Sequence, residues 1–138
     1  MHFSLCELPA GIKIPFFEAL IPAGFPSPAS DYAKKNIDLN ELLITHPAGT
    51  YFLRVSGTSM IDANISDGDI VIVDSSLQAH DGNIIIASID GEFTIKKLQK
   101  TPYPALIPMN PSFSPIPIAD WAEFTVFGVV TYVIHKTL

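Results

Sequence analysis

A serine among turn residues is the first candidate for chemistry in this sequence. Gly57-Thr58-Ser59-Met60 lies where a β-branched and aromatic run ends and a turn-rich stretch begins. A hydroxyl at a strand end, with backbone N–H groups exposed beside it, suits a nucleophile next to an oxyanion hole. The same residues also suit an ordinary turn, the more common case, in which the Ser59 hydroxyl bonds the local backbone. These four residues alone leave both interpretations open.

A pair of lysines further along the chain can supply a base for that serine. Lys96 and Lys97 lie in the run EFTIKKLQ, and neighbouring side chains of a strand point to opposite faces. An inward-facing lysine is costly unless it is neutral, and a neutral lysine amine activates a serine. Because Phe93 and Ile95 share a face with Lys97, periodicity favours Lys97 as the inward side chain. Alternatively, both lysines are exposed on an edge strand, where they discourage aggregation.

Two other sets of polar residues indicate no further site. The chain has four histidines: His2, His46, His80 and His135. They are scattered without a Ser-His-Asp order, so we expect loop or surface roles for them. The stretch 62–69 is rich in oxygen ligands, but Gly68 falls one place late for a calcium loop and Val73 replaces the bidentate glutamate. We therefore predict a turn there, with no metal and no cofactor.

Composition limits the classes of protein that this chain can represent. Its 138 residues, 48% hydrophobic and 16% charged, predict one compact domain. The net charge of −6, with no basic cluster longer than a pair, disfavours direct binding of duplex DNA. Cys6 is the only thiol, so no disulfide can form within the chain, which fits a reducing cytoplasm.

The apolar N-terminal stretch is not typical of a targeting or membrane segment. Lys13, Glu18 and several prolines interrupt the first 25 residues, which argues against a spanning helix. A signal peptide needs a basic start and an uninterrupted apolar core, and neither is present. We expect a protein that is soluble and has no membrane partner.

The pattern of residues predicts the elements that must position the candidate groups. Residues 1–32 are rich in proline and predict an extended, flexible arm, followed by a body at 33–138. Asp38-Leu39-Asn40-Glu41 has the form of a capping box and predicts a short helix through Ile44 that ends near Pro47.

From Thr50 onward the composition changes to β-branched and aromatic runs that predict strands. They lie at 50–55, 69–73, 83–89, 92–98, 105–109 and 124–134. Asp90-Gly91 between two of these runs predicts a two-residue hairpin, and Asp67-Gly68 and Asp81-Gly82 predict further turns. The expected fold is therefore mainly β, with one short helix.

Five stretches of the chain resemble a known family. SGTSMIDANISDGDIVIVD at 56–74, followed by DGEFTIKKLQ at 90–99, resembles the LexA/UmuD self-cleaving serine peptidases, whose signature is a Ser-Met turn and a downstream lysine. The UmuD branch in particular is similar at three further stretches: GFPSPASDYAKKNIDLNELLITHP at 24–47, LIPMNPSFSPI at 106–116 and VFGVVTYVI at 126–134.

The resemblance implies roles for particular residues. Ser59 matches the family nucleophile, and Lys96 matches its general base. The alternation of side chains along the strand had instead favoured Lys97 as the inward lysine. The family cleaves between Ala or Cys and Gly, which Ala23-Gly24 matches. We expect the backbone N–H groups of Thr58 and Ser59 to form the oxyanion hole.

The resemblance also implies a fold, a biological process and partners. The fold expected is a single compact domain of short, strongly bent antiparallel strands, with the cleavage site on the N-terminal arm. The implied process is the bacterial SOS response: cytoplasmic homodimers cleave themselves on a RecA filament on single-stranded DNA. The processed form then joins a Y-family translesion DNA polymerase subunit. Because only residues 1–23 precede the bond, we expect no helix-turn-helix domain, unlike LexA.

Two other functions remain open from the residues alone. A non-catalytic, β-rich dimeric module that binds a polymerase subunit would have the same fold with an inert Ser59 and Lys96. A signal-peptidase-like enzyme that acts on other chains would use the same Ser-Lys chemistry, but it would normally need a membrane anchor.

Overall fold

The computed structural model describes residues 11–17, 20–26, 34–118 and 124–138. The residues divide into two compact units, Met1–Thr45 and His46–Leu138. His2 and Cys6, noted in the sequence, lie outside the described residues. Within the described part of the chain, no helix has the length and apolar character needed to cross a membrane.

The N-terminal unit contains a two-stranded sheet and one short helix. Strand β1 (Lys13–Phe17) pairs antiparallel with β2 (Lys34–Asp38), and helix α1 (Leu39–Leu43) follows directly. The Asp38 side chain accepts a hydrogen bond of 2.9 Å from the backbone N–H of Asn40, so it caps the helix as predicted. Ile44 ends the helix in extended conformation.

Strand β1 was not predicted, because the sequence indicated only an extended arm there. All five of its residues are exposed, so no alternation of buried and exposed side chains marks the run as a strand. Its regular structure comes from pairing with β2, a contact that local sequence does not encode.

The C-terminal unit is built on one antiparallel sheet of seven strands, in the order β3-β4-β9-β5-β6-β7-β8. Its strands are β3 (Thr50–Arg54), β4 (Ile70–Asp74), β5 (Ile84–Ile89), β6 (Glu92–Gln99), β7 (Ala105–Ile107), β8 (Ile116–Pro117) and β9 (Phe124–Ile134). Register shifts bend β9 against both of its neighbours. The mainly β fold class with one short α-helix is therefore confirmed.

Turn residues connect these strands as their types predict. Asp90 and Gly91 both have positive φ, 48° and 83°, which is the backbone geometry of a two-residue hairpin turn between β5 and β6. Strand β7 stops at Ile107, two residues before the predicted end, because Pro108 has no N–H for a further ladder bond.

Apolar side chains pack on both faces of the sheet. Neighbouring residues of β5 enter different clusters: Ile86 packs with Met60, Val71 and Val73, whereas Ile85 packs with Leu106 and others. Both faces of β5 and β6 are thus partly or fully covered. An apolar side chain on one of these strands consequently does not identify the inward face.

Candidate active site

The turn that carries Ser59 connects β3 to β4 and is closed at its base by backbone bonds. The N–H of Val55 donates to the Asp69 carbonyl and the N–H of Gly68 donates to the Val55 carbonyl, both at 2.8 Å. The Asp67 side chain accepts the N–H of Gly57 at 2.7 Å. Gly57 has φ +97°, a backbone conformation that residues other than glycine rarely adopt. These bonds hold the two ends of the turn together.

Two buried side chains within the turn limit its movement. Met60, directly after the serine, is 1% exposed and packs with Ile65, which is also 1% exposed. A single 3-10 turn at Ile61–Ala63 separates them. Ser59 itself is half-buried. A reactive hydroxyl on an anchored turn keeps its direction, as a nucleophile requires.

Lys96 lies on β6 with its amine beside that hydroxyl. Its Nζ is 3.1 Å from Ser59 Oγ, 2.9 Å from Thr94 Oγ1 and 3.0 Å from the Ile95 carbonyl oxygen. The residue is 8% exposed. In the described parts of the chain no carboxylate lies within ion-pair distance of it. Burial lowers the pKa of Lys96, because the charged amine loses water without gaining a counter-ion.

The face count that favoured Lys97 as the inward lysine was wrong. Lys96 is buried, whereas Lys97 is only half-buried. Ile95, which lies on the Lys97 face, packs against one core cluster, and Leu98, which lies on the Lys96 face, belongs to the other. Since both faces are apolar, alternation along β6 does not distinguish the two lysines.

Two backbone N–H groups at Ser59 and its neighbour have no acceptor in the part of the chain that the structure describes. The N–H groups of Thr58 and Ser59 donate to no protein atom of the described residues. Backbone N–H groups of this kind can stabilise a developing oxyanion if they point to where it forms.

The predicted cleavage bond lies in the other unit. Ala23 and Gly24 belong to the described segment 20–26, which has no strand or helix. This segment is exposed throughout, with Leu20 at 96% and Phe25 at 94%.

Two histidine–carboxylate pairs lie at the two ends of β4. His46 Nδ1 is 2.5 Å from Asp74 Oδ2, and His135 Nδ1 is 2.6 Å from Asp69 Oδ1. Both carboxylates are buried, and both imidazoles are about half exposed. Neither pair could be predicted from local sequence, since the partners are 28 and 66 residues apart.

Hydrogen bonds lower the pKa of both carboxyl groups. The backbone N–H of Ser66 and the His135 ring lower the pKa of Asp69. The His46 ring and the Ser76 hydroxyl lower the pKa of Asp74. Neither pair includes a hydroxyl hydrogen-bonded to its imidazole, so the described residues form no Ser-His-Asp triad. They also contain no group of three metal-binding side chains.

Comparison with known proteins places this chain in a family. The family model described as Peptidase S24-like matches residues 15–131. The chain is 49% identical to protein MucA of Escherichia coli over 121 residues, covering 87% of this chain and 83% of MucA. It is 45% identical to protein SamA of Salmonella typhimurium over 129 residues, covering 94% of this chain and 90% of SamA.

A more distant relative has a longer chain. The LexA repressor of Bordetella parapertussis is 35% identical over 116 residues, which cover 83% of this chain but 53% of the repressor.

The protein therefore belongs to the S24-like peptidase family. Within it, the chain is a UmuD-type member of the LexA/UmuD family, as the sequence resemblance indicated. This membership supports an autoproteolytic activity of the serine-peptidase type.

Proposed function

We propose that the protein cleaves its own Ala23–Gly24 bond, with Ser59 as nucleophile and Lys96 as general base. One observation carries this proposal: a buried amine, with no counter-ion among the described residues, lies 3.1 Å from the serine hydroxyl. A nucleophile and its base must lie within hydrogen-bond reach, and this pair does.

The contacts of the amine suit its neutral form. A neutral amine has two N–H bonds and one lone pair. The Ile95 carbonyl and the Thr94 hydroxyl can accept the two N–H bonds at 3.0 and 2.9 Å. The lone pair is then free to accept the proton of the Ser59 hydroxyl.

The reaction follows from that arrangement. Lys96 takes the Ser59 proton as the oxygen attacks the Ala23 carbonyl carbon, and the N–H groups of Thr58 and Ser59 stabilise the resulting oxyanion. The ammonium then protonates the departing Gly24 nitrogen, leaving Ala23 as an ester on Ser59. Water hydrolyses that ester and regenerates the serine.

Docking of the cleavage segment is part of the same proposal. Strand β7 pairs with β6 only over Lys97–Gln99, so one edge of β6 at 92–96 has no strand partner among the described residues. An extended segment can pair with such an edge. Ala23 and Gly24 are small enough to let the backbone approach Ser59, and the flanking Pro22 and Pro26 restrict the segment's conformations.

The proposed role lies in the bacterial SOS response. A RecA filament on single-stranded DNA would raise the fraction of molecules with residues 22–25 docked, which is a population shift. The processed cytoplasmic homodimer would then join a Y-family translesion polymerase subunit. Residues 1–23 carry few charges, so we expect their loss to act by uncovering apolar surface.

Incubation of the purified full chain at increasing pH tests the proposal. Self-cleavage should accelerate with pH as Lys96 loses its proton, and mass spectrometry should find a product that begins at Gly24. A RecA filament should accelerate the reaction near neutral pH. Ser59→Ala should abolish cleavage. A chain that stays intact under all these conditions would instead be the non-catalytic interaction module.

A further inference from the structure

The segment that follows β7 contacts the turn that carries the nucleophile. The N–H of Met109 donates to the Ser59 carbonyl at 2.8 Å, and the Met109 carbonyl accepts the N–H of Asp62 at 2.7 Å. These two bonds form a short backbone bridge beside the serine. This segment lies within LIPMNPSFSPI at 106–116.

Asn110 adds a side-chain bond to this bridge. Its Nδ2 donates to the Thr58 carbonyl at 2.9 Å, and its Oδ1 accepts the N–H of Ser112 at 3.0 Å. One end of the amide needs a donor and the other an acceptor, so the two bonds fix its orientation. The Thr58 carbonyl also accepts the N–H of Ile61, but at 3.3 Å. Asn110 therefore makes the shorter contact to this carbonyl.

The peptide unit between Thr58 and Ser59 couples the direction of the Thr58 carbonyl to that of the Ser59 N–H. In a trans peptide the carbonyl and the following N–H point in opposite directions within one plane. A donor that holds the Thr58 carbonyl therefore also sets the direction of the Ser59 N–H. That N–H has no acceptor among the described residues, so no other bond of its own fixes it.

We propose that Asn110 is a positioning residue: by holding the Thr58 carbonyl, it aims the Ser59 N–H at the oxyanion that forms during self-cleavage. This inference rests on the proposed function. An oxyanion hole accelerates a reaction because its donors are aimed before charge develops. Without Asn110, only the longer bond from the Ile61 N–H holds the carbonyl of the exposed Thr58, so the peptide unit can turn and the Ser59 N–H turns with it.

Two variants at this position separate the donor from the rest of the side chain. Asn110→Asp keeps the oxygen that accepts the Ser112 N–H but replaces the donor to Thr58. Asn110→Ala removes both bonds without adding charge. Asn83→Ala is a matched control, because its side chain also bonds a turn N–H, that of His80 at 2.8 Å, and has no bond to the Ser59 turn.

The measurement is the rate of self-cleavage across a pH series, together with urea unfolding of each variant in a Ser59→Ala background. Both Asn110 variants should cut about 10- to 100-fold more slowly, less than the ~100- to 1,000-fold loss when an oxyanion donor is removed outright. The alanine variant should show the same factor at every pH, because the pKa of Lys96 is untouched. The control should cut at the rate of the unmodified protein.

Other results overturn the inference. A rate within about threefold of the unmodified protein would mean that the Thr58 carbonyl needs no side-chain donor. A loss that changes with pH in Asn110→Ala would mean that the whole dyad had loosened, and an unfolded variant would give Asn110 a structural role only. If the unmodified protein does not cut itself, the proposed function fails together with this inference. If it cuts itself and the Asn110 variants cut equally fast, only this inference fails.

Discussion

Replacing Lys96 with methionine should abolish self-cleavage and change how the free energy of unfolding depends on pH. Methionine fills a similar volume without a charge, so cleavage should be abolished because the base is lost. The replacement also removes the cost of keeping an amine in a site with 8% exposure. Against this, the Thr94 hydroxyl and the Ile95 carbonyl lose one partner each.

The pH dependence of the free energy of unfolding isolates the amine. Burial lowers the pKa of Lys96 in the folded chain, so the unfolded chain binds more protons between that value and about 10.4. Stability of the chain with lysine therefore rises with pH across this window, by up to about 1.4 kcal/mol for each pH unit. The methionine variant lacks this dependence. The free energy of unfolding of the methionine variant, relative to that of the lysine form, should therefore fall by up to that amount for each pH unit across the window.

Urea unfolding at several alkaline pH values measures the effect. Both chains should carry Ser59→Ala, so that self-cleavage does not interfere, and all other titrating groups then cancel in the difference between them. A difference in unfolding free energy that is constant across the window would refute the reasoning. It would mean that the amine has the same pKa in the folded and unfolded chains.

Three further substitutions test other parts of the structure. Lys97→Ala should leave the cleavage rate within about twofold, because its amine has no bond to the serine, and a loss of cleavage by gel assay would contradict this assignment. Gly128→Ala should lower the free energy of unfolding by about 1–3 kcal/mol, because a Cβ there would lie 2.6 Å from Val73 Cγ1, and an unchanged urea midpoint would contradict it. Asp74→Asn should flatten the fall in stability on acidification. The lowered pKa of Asp74 contributes stability that is present at neutral pH and lost as pH falls through the folded value. An unchanged fall in stability on acidification would therefore count against the hydrogen bonds from His46 and Ser76 as the cause of a lowered pKa.

The sequence predicted those features that depend on neighbouring residues. The Asp38 cap, the Asp90-Gly91 hairpin and the strand that carries Lys96 are specified within a few residues, because caps, turns and side-chain alternation are local properties. The Ser-Met turn was recognised for the same reason. Family resemblance selected Lys96, whereas the residues by themselves favoured Lys97.

Tertiary structure decided the features that join distant parts of the chain. Strand β1 takes its form from pairing with β2, and the buried Asp69 and Asp74 take their partners from residues far away in the sequence. The contact of Asn110 with Thr58 also spans 52 residues. Sequence alone determined that this chain is mainly β and carries a candidate serine and lysine. Packing decided which lysine is dehydrated beside the serine, because apolar side chains pack on both faces of β6 and only the three-dimensional environment distinguishes the two lysines.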